Sequence, residues 1–213
     1  MPIWCIDEDR SQKIIREGIT VSNQLKPEAL KERERLLELL QTRSLEEREV
    51  TLSSGRKSNY YLDCKRVTLT PEGAYLSAKI LLEMIRPEVK AVGGLTLGAD
   101  PLVVSIAVLS YLQAKSMRSL QALIVRKEPK KHGTMSYVEG PILEKGAAVA
   151  VVEDVITSGA SIIKAIDRIE AEGYQPVQAL AILDRLEGGT DAVEKRGLKL
   201  KSIFTRDDLK ISR

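Results

Sequence analysis

The stretch that decides the fold runs from Val151 to Ser161 and reads Val-Val-Glu-Asp-Val-Ile-Thr-Ser-Gly-Ala-Ser. An apolar strand, AAVAVVEDV, brings the adjacent carboxylates Glu153 and Asp154 to its carboxyl end, and a short loop of small residues leads directly into a predicted helix. Free backbone N–H groups at a helix N-terminus, with nearby hydroxyl groups, predict a cradle for a phosphate. Carboxylates beside such a cradle repel a phosphate unless they bind sugar hydroxyls or a cation, so a ribose phosphate satisfies the whole pattern.

The same letters have a plainer interpretation, which the sequence leaves open. Glu153-Asp154 could be the solvated end of a strand, and Thr157–Ser161 could be an ordinary helix cap. A Walker loop is excluded, because no GxxxxGK[ST] run occurs in the chain.

Working outward from this stretch, strands and helices alternate through the rest of the chain. Further strands are predicted at Ala91–Gly94, Ala122–Arg126, QALAILD and KSIFTRDDL, the last with a short helical end, and helices at Pro71–Ile85, PLVVSIAVLSYLQAK and SIIKAIDRIEAEG. Thr70 precedes the first of these helices and Gly173 closes the third. Near-continuous apolar strands separated by helices predict a mostly parallel sheet covered on both faces, with ligands beyond the carboxyl ends of its strands. The helix PLVVSIAVLSYLQAK is apolar nearly all round, so we expect it to be buried.

The N-terminal part of the chain has a different pattern. From Lys26, Leu30, Arg33, Leu37 and Leu40 recur at steps of three and four residues, which predicts an amphipathic surface helix. The next stretch, EVTLSSGRKSNYYLDCKRVTL, alternates around a Ser-Ser-Gly turn and predicts a hairpin, with Cys64 in a strand. Residues 1 to about 25 form an appendage to which we assign no role.

Composition excludes several classes of protein. The 213 residues include 33 Lys and Arg against 30 Asp and Glu, and this net charge of +3 is too small for a protein that binds nucleic acid in bulk. No apolar run approaches the ~20 residues needed to cross a bilayer, and the N-terminus carries acids, so we expect a cytoplasmic protein with no membrane partner. The two cysteines, Cys5 and Cys64, lie far apart, which favours neither a zinc site nor a disulfide framework.

The positive charge is concentrated after the strand that ends near Arg126. The run Arg126–Thr134 holds four basic residues, one acid and the single histidine, His132. Cationic residues at a strand end suit a lid that closes over a polyanionic leaving group, where Lys127, Lys130 and His132 neutralise the charge that grows on a departing pyrophosphate. Alternatively, the run is a solvated face and the histidine is incidental.

Four segments together resemble one known family. TLSSGRKSNYYLD, VGGLTLGADP, RKEPKKHGT and VVEDVITSGAS are similar, in order and spacing, to the orotate phosphoribosyltransferases, a family of type I phosphoribosyltransferases that use phosphoribosyl pyrophosphate (PRPP). The resemblance extends from about Lys26 to the C-terminus. It implies an α/β fold of the type I phosphoribosyltransferase kind, a mostly parallel twisted sheet with helices on both faces and a small N-terminal hood with a hairpin. The implied domain is 26–213, with the hood at about 26–70 and the core at about 71–213, preceded by the appendage 1–25.

The resemblance also implies roles for individual residues. The residues implied to bind PRPP are Arg126, Lys127, Lys130, His132, Glu153, Asp154, Val155, Ile156, Thr157, Ser158, Gly159, Ala160 and Ser161, of which Lys127, Lys130, His132 and Asp154 are implied to be catalytic. Those implied to bind orotate are Thr157, Arg185 and Tyr61. Arg185 also suits orotate chemically, because a planar guanidinium grips a carboxylate through two hydrogen bonds. Without the resemblance, Arg185 could be a surface residue paired with Asp184 or Glu187, and Tyr61 could be a strand aromatic that packs on the core.

The implied reaction is transfer of the 5-phosphoribosyl group from PRPP to N1 of orotate, which gives orotidine 5′-monophosphate and pyrophosphate in pyrimidine (UMP) biosynthesis. The implied cofactor is Mg²⁺, which arrives with PRPP and is not held by protein side chains directly. The implied assembly is a homodimer in which lid residues reach the neighbouring subunit.

Two alternatives and two departures qualify this resemblance. The alternatives are a phosphoribosyltransferase for a purine or uracil, and a regulator that senses PRPP while binding nucleic acid. The departures are Ser53, where one branch of the family has a lysine, and Leu97-Gly98, where that branch has Tyr-Lys. Both lost bases are expected to touch PRPP, and Arg56 or Lys57 is expected to compensate.

Overall fold

The computed structural model describes residues 27–51, 57–113, 119–129 and 136–211. The helices are α1 (Pro27–Leu39), a π-helical turn (Leu40–Ser44), α2 (Lys65–Thr68), α3 (Pro71–Met84), α4 (Asp100–Leu112), α5 (Ala160–Ala171), α6 (Gly189–Glu194) and a 3₁₀ turn (Arg206–Asp208). The strands are β1 (Leu45–Glu46), β2 (Val50–Thr51), β3 (Lys57–Ser58), β4 (Tyr61–Leu62), β5 (Ala91–Leu95), β6 (Gln121–Val125), β7 (Val138–Glu139), β8 (Ala148–Ile156), β9 (Gln175–Asp184) and β10 (Leu200–Thr205).

A six-stranded sheet in the order β10-β9-β8-β5-β6-β7 forms the centre of the molecule. Strands β10, β9, β8, β5 and β6 are parallel to their neighbours, and β7 runs antiparallel to β6. The predicted mostly parallel sheet is confirmed. Strand β7 and helix α6 were not predicted, since two and six residues are too short to show a period.

Both faces of this sheet are covered, as predicted. On one face α1, α3 and α4 contribute buried side chains that include Leu36, Leu81 and Ile106. On the other face α5 packs Ile162 and Ile166 against the strands. Strand β8 is buried from Val149 to Glu153, which explains its near-continuous apolar sequence.

Two small antiparallel pairs form the N-terminal hood. Strand β1 pairs with β4, and β2 pairs with β3, so the hairpin prediction is confirmed. Its turn at 52–56 lies outside the described residues, together with Ser53 and Arg56. The prediction of a strand at Cys64 is wrong: its carbonyl accepts hydrogen bonds from the N–H groups of Val67 and Thr68, so the chain turns into α2 there, and the thiol is buried.

The buried face of α1 differs from the predicted one. Leu36, Leu39 and Leu40 are almost fully buried, whereas Leu30 and Leu37 are only partly covered. The buried row lies about one position away from the predicted row because α1 packs against α3 on one flank as well as against the sheet.

The prediction that α4 is buried all round is wrong. Leu102 and Ile106 are fully buried against the sheet, but on the opposite side Val104, Val108, Tyr111 and Leu112 are 50–72% exposed. An apolar helix face that the described residues leave exposed indicates a surface for another molecule. None of the helices in the described ranges is long and apolar enough to cross a membrane.

Two predicted helix ends are confirmed. The Thr70 hydroxyl accepts a hydrogen bond from the Gly73 N–H at 3.2 Å and caps α3. Gly173 has φ +86° after α5, and the Tyr174 N–H donates back to the Ile169 carbonyl at 3.2 Å. These caps fix the lengths of the two helices that flank the central strands.

Gly94 is the closest approach between β5, β8 and the start of α4. An added Cβ would lie 2.4 Å from the Val152 carbonyl oxygen and 2.4 Å from Ala99 Cβ. We therefore expect Gly94→Ala to lower the free energy of unfolding by about 1–3 kcal/mol, measured by urea denaturation. Gly93→Ala is the matched control, because its nearest neighbour is the movable Ile169 Cδ1 at 2.9 Å. Equal losses in the two variants would show that the close backbone approach at Gly94 is not what limits this position.

Candidate functional site

The carboxyl ends of the parallel strands bring four loops to one edge of the sheet. These loops follow Leu95, Val125, Ile156 and Asp184. Backbone hydrogen bonds tie them in pairs: the Thr96 N–H donates to the Val125 carbonyl at 2.8 Å, and the Arg185 N–H donates to the Ile156 carbonyl at 2.9 Å. The structure thus gathers the described part of all the predicted site segments except Tyr61, which belongs to the hood.

The acidic pair lies within the last four residues of β8. Glu153 is 5% exposed and Asp154 is partly buried, so the interpretation of Glu153 as part of a solvated strand end is wrong. Burial, together with the charge of Asp154, raises the pKa of the Glu153 carboxyl well above its ordinary value, and the positive charge of Lys127 acts in the opposite direction. A buried carboxyl with a shifted pKa, in a site that gathers several loops, is typical of a functional group.

Asp154 is held by its own backbone and by the loop after β5. Its Oδ1 accepts a hydrogen bond from the Val155 N–H at 2.9 Å. A Cβ on Gly98 would lie 2.5 Å from the same oxygen, so the backbone of this loop rests directly against the carboxylate. The absent side chain at Gly98 is therefore a packing requirement of the site.

The predicted phosphate cradle is the turn between β8 and α5. Gly159 occupies the N-cap position with φ +81° and makes no side-chain cap, so the alternative interpretation of Thr157–Ser161 as an ordinary hydroxyl cap is wrong. Ser158, Ala160 and Ser161 are exposed, and Thr157 is partly buried. The first turn of α5 therefore presents backbone N–H groups and hydroxyls to an open side, as phosphate binding requires.

A glycine pair supports the cradle from the next loop, and sequence reasoning missed it. A Cβ on Gly189 would lie 2.2 Å from Ile156 Cγ2 and 2.6 Å from the Thr157 carbonyl oxygen. Gly188, with φ +92°, turns the chain just before it. The Gly188-Gly189 dipeptide in the sequence was the signal from which this close approach could have been predicted.

Arg185 is 4% exposed, so its interpretation as a surface residue is wrong, but the pairing with Glu187 that this interpretation included is present. Its Nε lies 2.8 Å from Glu187 Oε1, and its guanidinium carbon lies 4.2 Å from the centre of the Tyr60 ring. Burial raises the pKa of the Tyr60 hydroxyl, although the charges of Arg185 and Arg206 oppose this shift. A buried arginine that stacks on an aromatic ring is a cation held in a fixed position, here directly after the carboxyl end of β9.

The tyrosine that reaches Arg185 is Tyr60, and sequence reasoning named its neighbour. Tyr61 is partly buried in β4, and the Arg48 guanidinium carbon lies 4.9 Å from its ring centre. Adjacent residues of an extended segment point to opposite sides, so the contact of Tyr60 with Arg185 is not shared by Tyr61.

The basic segment is described as far as Pro129. Lys127 is exposed at the end of β6, while the Arg126 Nη1 pairs with Glu139 Oε1 at 3.0 Å. Lys130 and His132 lie outside the described residues.

A second base near the acids was not predicted. Lys65 Nζ lies 2.6 Å from Asp63 Oδ1. Burial alone would lower the pKa of the Lys65 ammonium, but the hydrogen bond to Asp63 and the charge of Asp154 raise it. Burial first, and then the charges of Asp154 and Asp63, raise the pKa of the Cys64 thiol. Lys65 therefore supplies positive charge beside Asp154. The loop at Gly98 has no basic side chain at that position to supply it.

The acidic pair fits a divalent cation that is shared with a substrate. Among the described residues, no cluster of three or more His, Cys, Asp or Glu side chains is placed to hold a metal ion. Mg²⁺ in phosphate-binding sites usually keeps several waters and takes its other ligands mainly from the substrate. The residues present therefore fit an ion that arrives with a phosphorylated substrate and lies beside Glu153 and Asp154 without being held by their side chains directly.

Comparisons with known proteins agree on one family. No protein-family model matches the chain. The orotate phosphoribosyltransferase of Thermosynechococcus vestitus is 51% identical over 177 residues, which cover 83% of this chain and 92% of that protein. The crystal structure of the Mycobacterium tuberculosis orotate phosphoribosyltransferase superposes with a TM-score of 0.71 at 34% identity, covering 84% of this chain and 99% of that one.

The complex of the same mycobacterial enzyme with PRPP superposes with a TM-score of 0.67 at 33% identity, over 84% of this chain and 99% of that one. The resemblance in four motifs thus extends to most of the chain and to its fold. The chain belongs to the orotate phosphoribosyltransferase family, the PRPP-dependent enzymes that form orotidine 5′-monophosphate in pyrimidine biosynthesis.

Proposed function

We propose that the residues gathered at the carboxyl edge of the sheet carry out the family's reaction, transfer of the 5-phosphoribosyl group from PRPP to N1 of orotate. The observation that carries this proposal is that a buried acid, Glu153, and a buried guanidinium, Arg185, lie toward the carboxyl ends of the neighbouring strands β8 and β9, at the edge where α5 begins. PRPP offers ribose hydroxyls and phosphates, and orotate offers a carboxylate. Each of these groups has a complementary partner at this edge.

The acids and the cradle are proposed to bind the ribose phosphate of PRPP. Glu153 and Asp154 accept hydrogen bonds from the ribose hydroxyls, and the backbone from Val155 to Ser161 surrounds the 5′-phosphate. The dipole of α5 adds favourable charge at the phosphate. Buried acceptors fix the sugar in one orientation, which lowers the entropy lost on the way to the transition state.

Arg185 and Thr157 are proposed to bind orotate. The Arg185 N–H donates a hydrogen bond to the carbonyl of Ile156, the residue that precedes Thr157. The guanidinium grips the orotate carboxylate, and Tyr60 holds the guanidinium in place from its other side. Tyr61 remains a predicted contact of the pyrimidine, made by residues of the hood.

Lys127, Lys130 and His132 are proposed to stabilise the leaving pyrophosphate. As the glycosidic bond lengthens, positive charge develops on the ribose ring and negative charge on pyrophosphate, so cations near the leaving group lower the barrier. Asp154 stabilises the positive charge that develops on the sugar. Glu153 and Asp154 would lie beside a Mg²⁺ ion that arrives with PRPP, and such an ion would supply Lewis-acid stabilisation of the pyrophosphate.

We further propose a homodimer built on the exposed apolar face of α4. This face is made of Val104, Val108, Tyr111 and Leu112, and the loop that leads into α4 carries Leu97, which is also exposed. The same loop rests against Asp154 at Gly98. A second copy that covers the face would stand next to the site, where lid residues from that copy could reach it. A large apolar area is what an obligate dimer buries.

Two wider aspects belong to the same proposal. The chain is divided into the appendage 1–25, a hood at about 26–70 and a core at about 71–213, with the hood supplying Tyr60 and Lys65. A cytoplasmic location is proposed because the reaction belongs to biosynthesis of nucleotides.

The test of the proposed acceptor pocket is a panel of bases. We expect Mg²⁺-dependent loss of orotate absorbance with PRPP, and no turnover of uracil, adenine or hypoxanthine, because uracil lacks the carboxylate that Arg185 binds. Arg185→Lys keeps the charge but loses the planar pair of donors, so KM for orotate should rise about 10–100-fold while KM for PRPP changes little.

Arg206→Lys is the matched control, since the Arg206 guanidinium carbon lies farther from the centre of the same Tyr60 ring, at 5.9 Å. Equal effects of the two substitutions on KM for orotate would contradict the role of Arg185. Binding of PRPP without turnover of any base would favour the PRPP-sensing regulator.

The raised pKa of Glu153 predicts an effect of pH on stability. A carboxyl whose pKa is raised in the folded state contributes stability that is fully present below its unfolded-state pKa and is lost as pH rises through the raised pKa. Glu153→Gln does not titrate, so the variant should melt at a higher temperature than the wild type at pH 8. The expected difference is about 2–4 °C for each kcal/mol that the free energy of unfolding gains when the buried charge is removed. The difference should vanish below the ordinary range of carboxyl pKa values.

The same variant should lose most of its turnover with PRPP, because an amide offers one acceptor oxygen where the carboxylate offers two. Glu144→Gln, which changes an exposed acid before β8, is the control for both measurements. A Glu153→Gln variant that melts below the wild type at pH 8 would contradict the expected gain and show that the buried charge is fully compensated.

The proposed dimer interface is tested at its centre. Val108→Glu places a charge on the exposed apolar face of α4, and we expect it to shift the protein from dimer to monomer by light scattering at micromolar concentration, with loss of turnover. Ile142→Glu, at an apolar side chain that is 95% exposed and lies outside α4, should leave the dimer intact. A monomeric wild type, or a dimeric Val108→Glu variant, would rule out this interface.

A further inference from the structure

Helix α5 holds the backbone of the basic segment through Arg168, a residue that none of the roles above uses. The Arg168 Nη1 donates to the carbonyl of Arg126, and its Nη2 donates to the carbonyl of Lys127 at 2.8 Å. The guanidinium carbon lies 4.1 Å from the centre of the Tyr137 ring. One side chain therefore binds two successive carbonyls and an aromatic ring on the two sides of the segment.

These contacts hold the backbone at Arg126 and Lys127 in one geometry, which is more specific than a general stabilising role. A guanidinium carries its donors in a planar fork, so two consecutive carbonyls can be bound only in one orientation of the backbone. The ring of Tyr137 restricts the remaining freedom of the guanidinium. The Arg126 N–H also donates to the Tyr137 carbonyl at 2.8 Å, which closes the arrangement. The direction in which Lys127 leaves β6 is thereby set by α5.

The end of α5 holds the other flank. Glu172 Oε1 accepts a hydrogen bond from the Ser136 hydroxyl at 2.5 Å, and the Ser136 oxygen accepts one from the Val138 N–H at 3.0 Å. Both flanks of the segment are thus attached to the C-terminal half of one helix. Because α5 begins at Ala160, beside the cradle, about 12 Å of continuous helix separates the phosphate-binding end from Arg168.

We infer that Arg168 is a positioning residue for phosphoribosyl transfer, which orients Lys127 relative to Glu153 and the phosphate cradle by holding the carbonyls of Arg126 and Lys127 on α5. This inference rests on the proposed role of Lys127 at the leaving group. The phosphate cradle and Arg168 belong to the same helix. The distance between bound PRPP and the Lys127 backbone is therefore fixed before substrate arrives. Such preorganisation raises turnover and leaves the binding of orotate unchanged.

The test compares Arg168→Ala, Arg168→Lys and Arg196→Ala. We expect Arg168→Ala to lower kcat with PRPP about 10–100-fold while KM for orotate stays within about twofold. Arg168→Lys, which can reach one carbonyl but lacks the fork, should recover part of the loss. Arg196 Nη2 contacts Asp167 and Glu170 of α5 at 2.8 and 2.6 Å, so Arg196→Ala removes a guanidinium from the surroundings of the same helix and should leave turnover unchanged.

A double-mutant cycle with Lys127→Ala separates positioning from mere stabilisation. If Arg168 acts through Lys127, the double variant should be no slower than Lys127→Ala alone. Additive losses, or an Arg168→Ala variant that changes only the melting temperature, would overturn the inference and leave the proposed function standing. Near-normal turnover of Lys127→Ala would overturn the proposed role of Lys127 and the inference with it. Should Arg168→Ala fail to fold, the cycle with Arg168→Lys gives the same decision.

Discussion

The burial of Glu153 beside Asp154, near the end of the central strand β8, is the constraint around which the site is built. Burial of the Glu153 carboxyl, together with the negative charge of Asp154 beside it, disfavours the charged form of Glu153. Local hydrogen bonds offset part of this cost, because each carboxylate accepts a backbone N–H, at 3.1 Å for Glu153 and 2.9 Å for Asp154. Lys127 and Lys65 add positive charge from two different elements. The basic groups around the site are therefore needed by the protein even before a substrate is bound.

The arrangement also places stability and function in opposition. A strand buried on both faces would be more stable with an apolar residue at 153, yet a sugar is oriented by acceptors that are themselves fixed and shielded from water. The same opposition explains the small residues nearby. Gly94 allows β5 to approach β8 closely, and Gly189 allows the start of α6 to approach the turn after β8. Gly159 turns the chain into α5 without a side chain over the cradle.

The parts of the molecule that follow from local pattern could be predicted from the sequence, and those that depend on distant contacts could not. Strand β8, its glycine turn and α5 form one continuous pattern of apolar residues, acids and small residues, so both their structure and their association with phosphate were predictable. Arg185 was identified from its chemistry, although its burial depends on Tyr60, which meets it only in the folded chain.

Arg168 was missed because an arginine within a helix usually faces solvent, and its acceptors lie about forty residues earlier. Likewise, Tyr60 and Tyr61 are equivalent as letters, and the composition of α4 does not show which of its sides are covered. Periodicity describes an element, whereas the direction of its faces is a property of the assembled fold.

Gly98 also limits where this chain can place positive charge next to Asp154. Another branch is expected to have a lysine here, yet in this chain any side chain at 98 would begin within 2.5 Å of Asp154 Oδ1, an oxygen already held by the Val155 N–H. A mutation that restored the lysine alone would displace the carboxylate it was meant to assist. Positive charge beside Asp154 must therefore come from an element other than this loop, and the chain ties its acidic pair to the hood, where Lys65 lies.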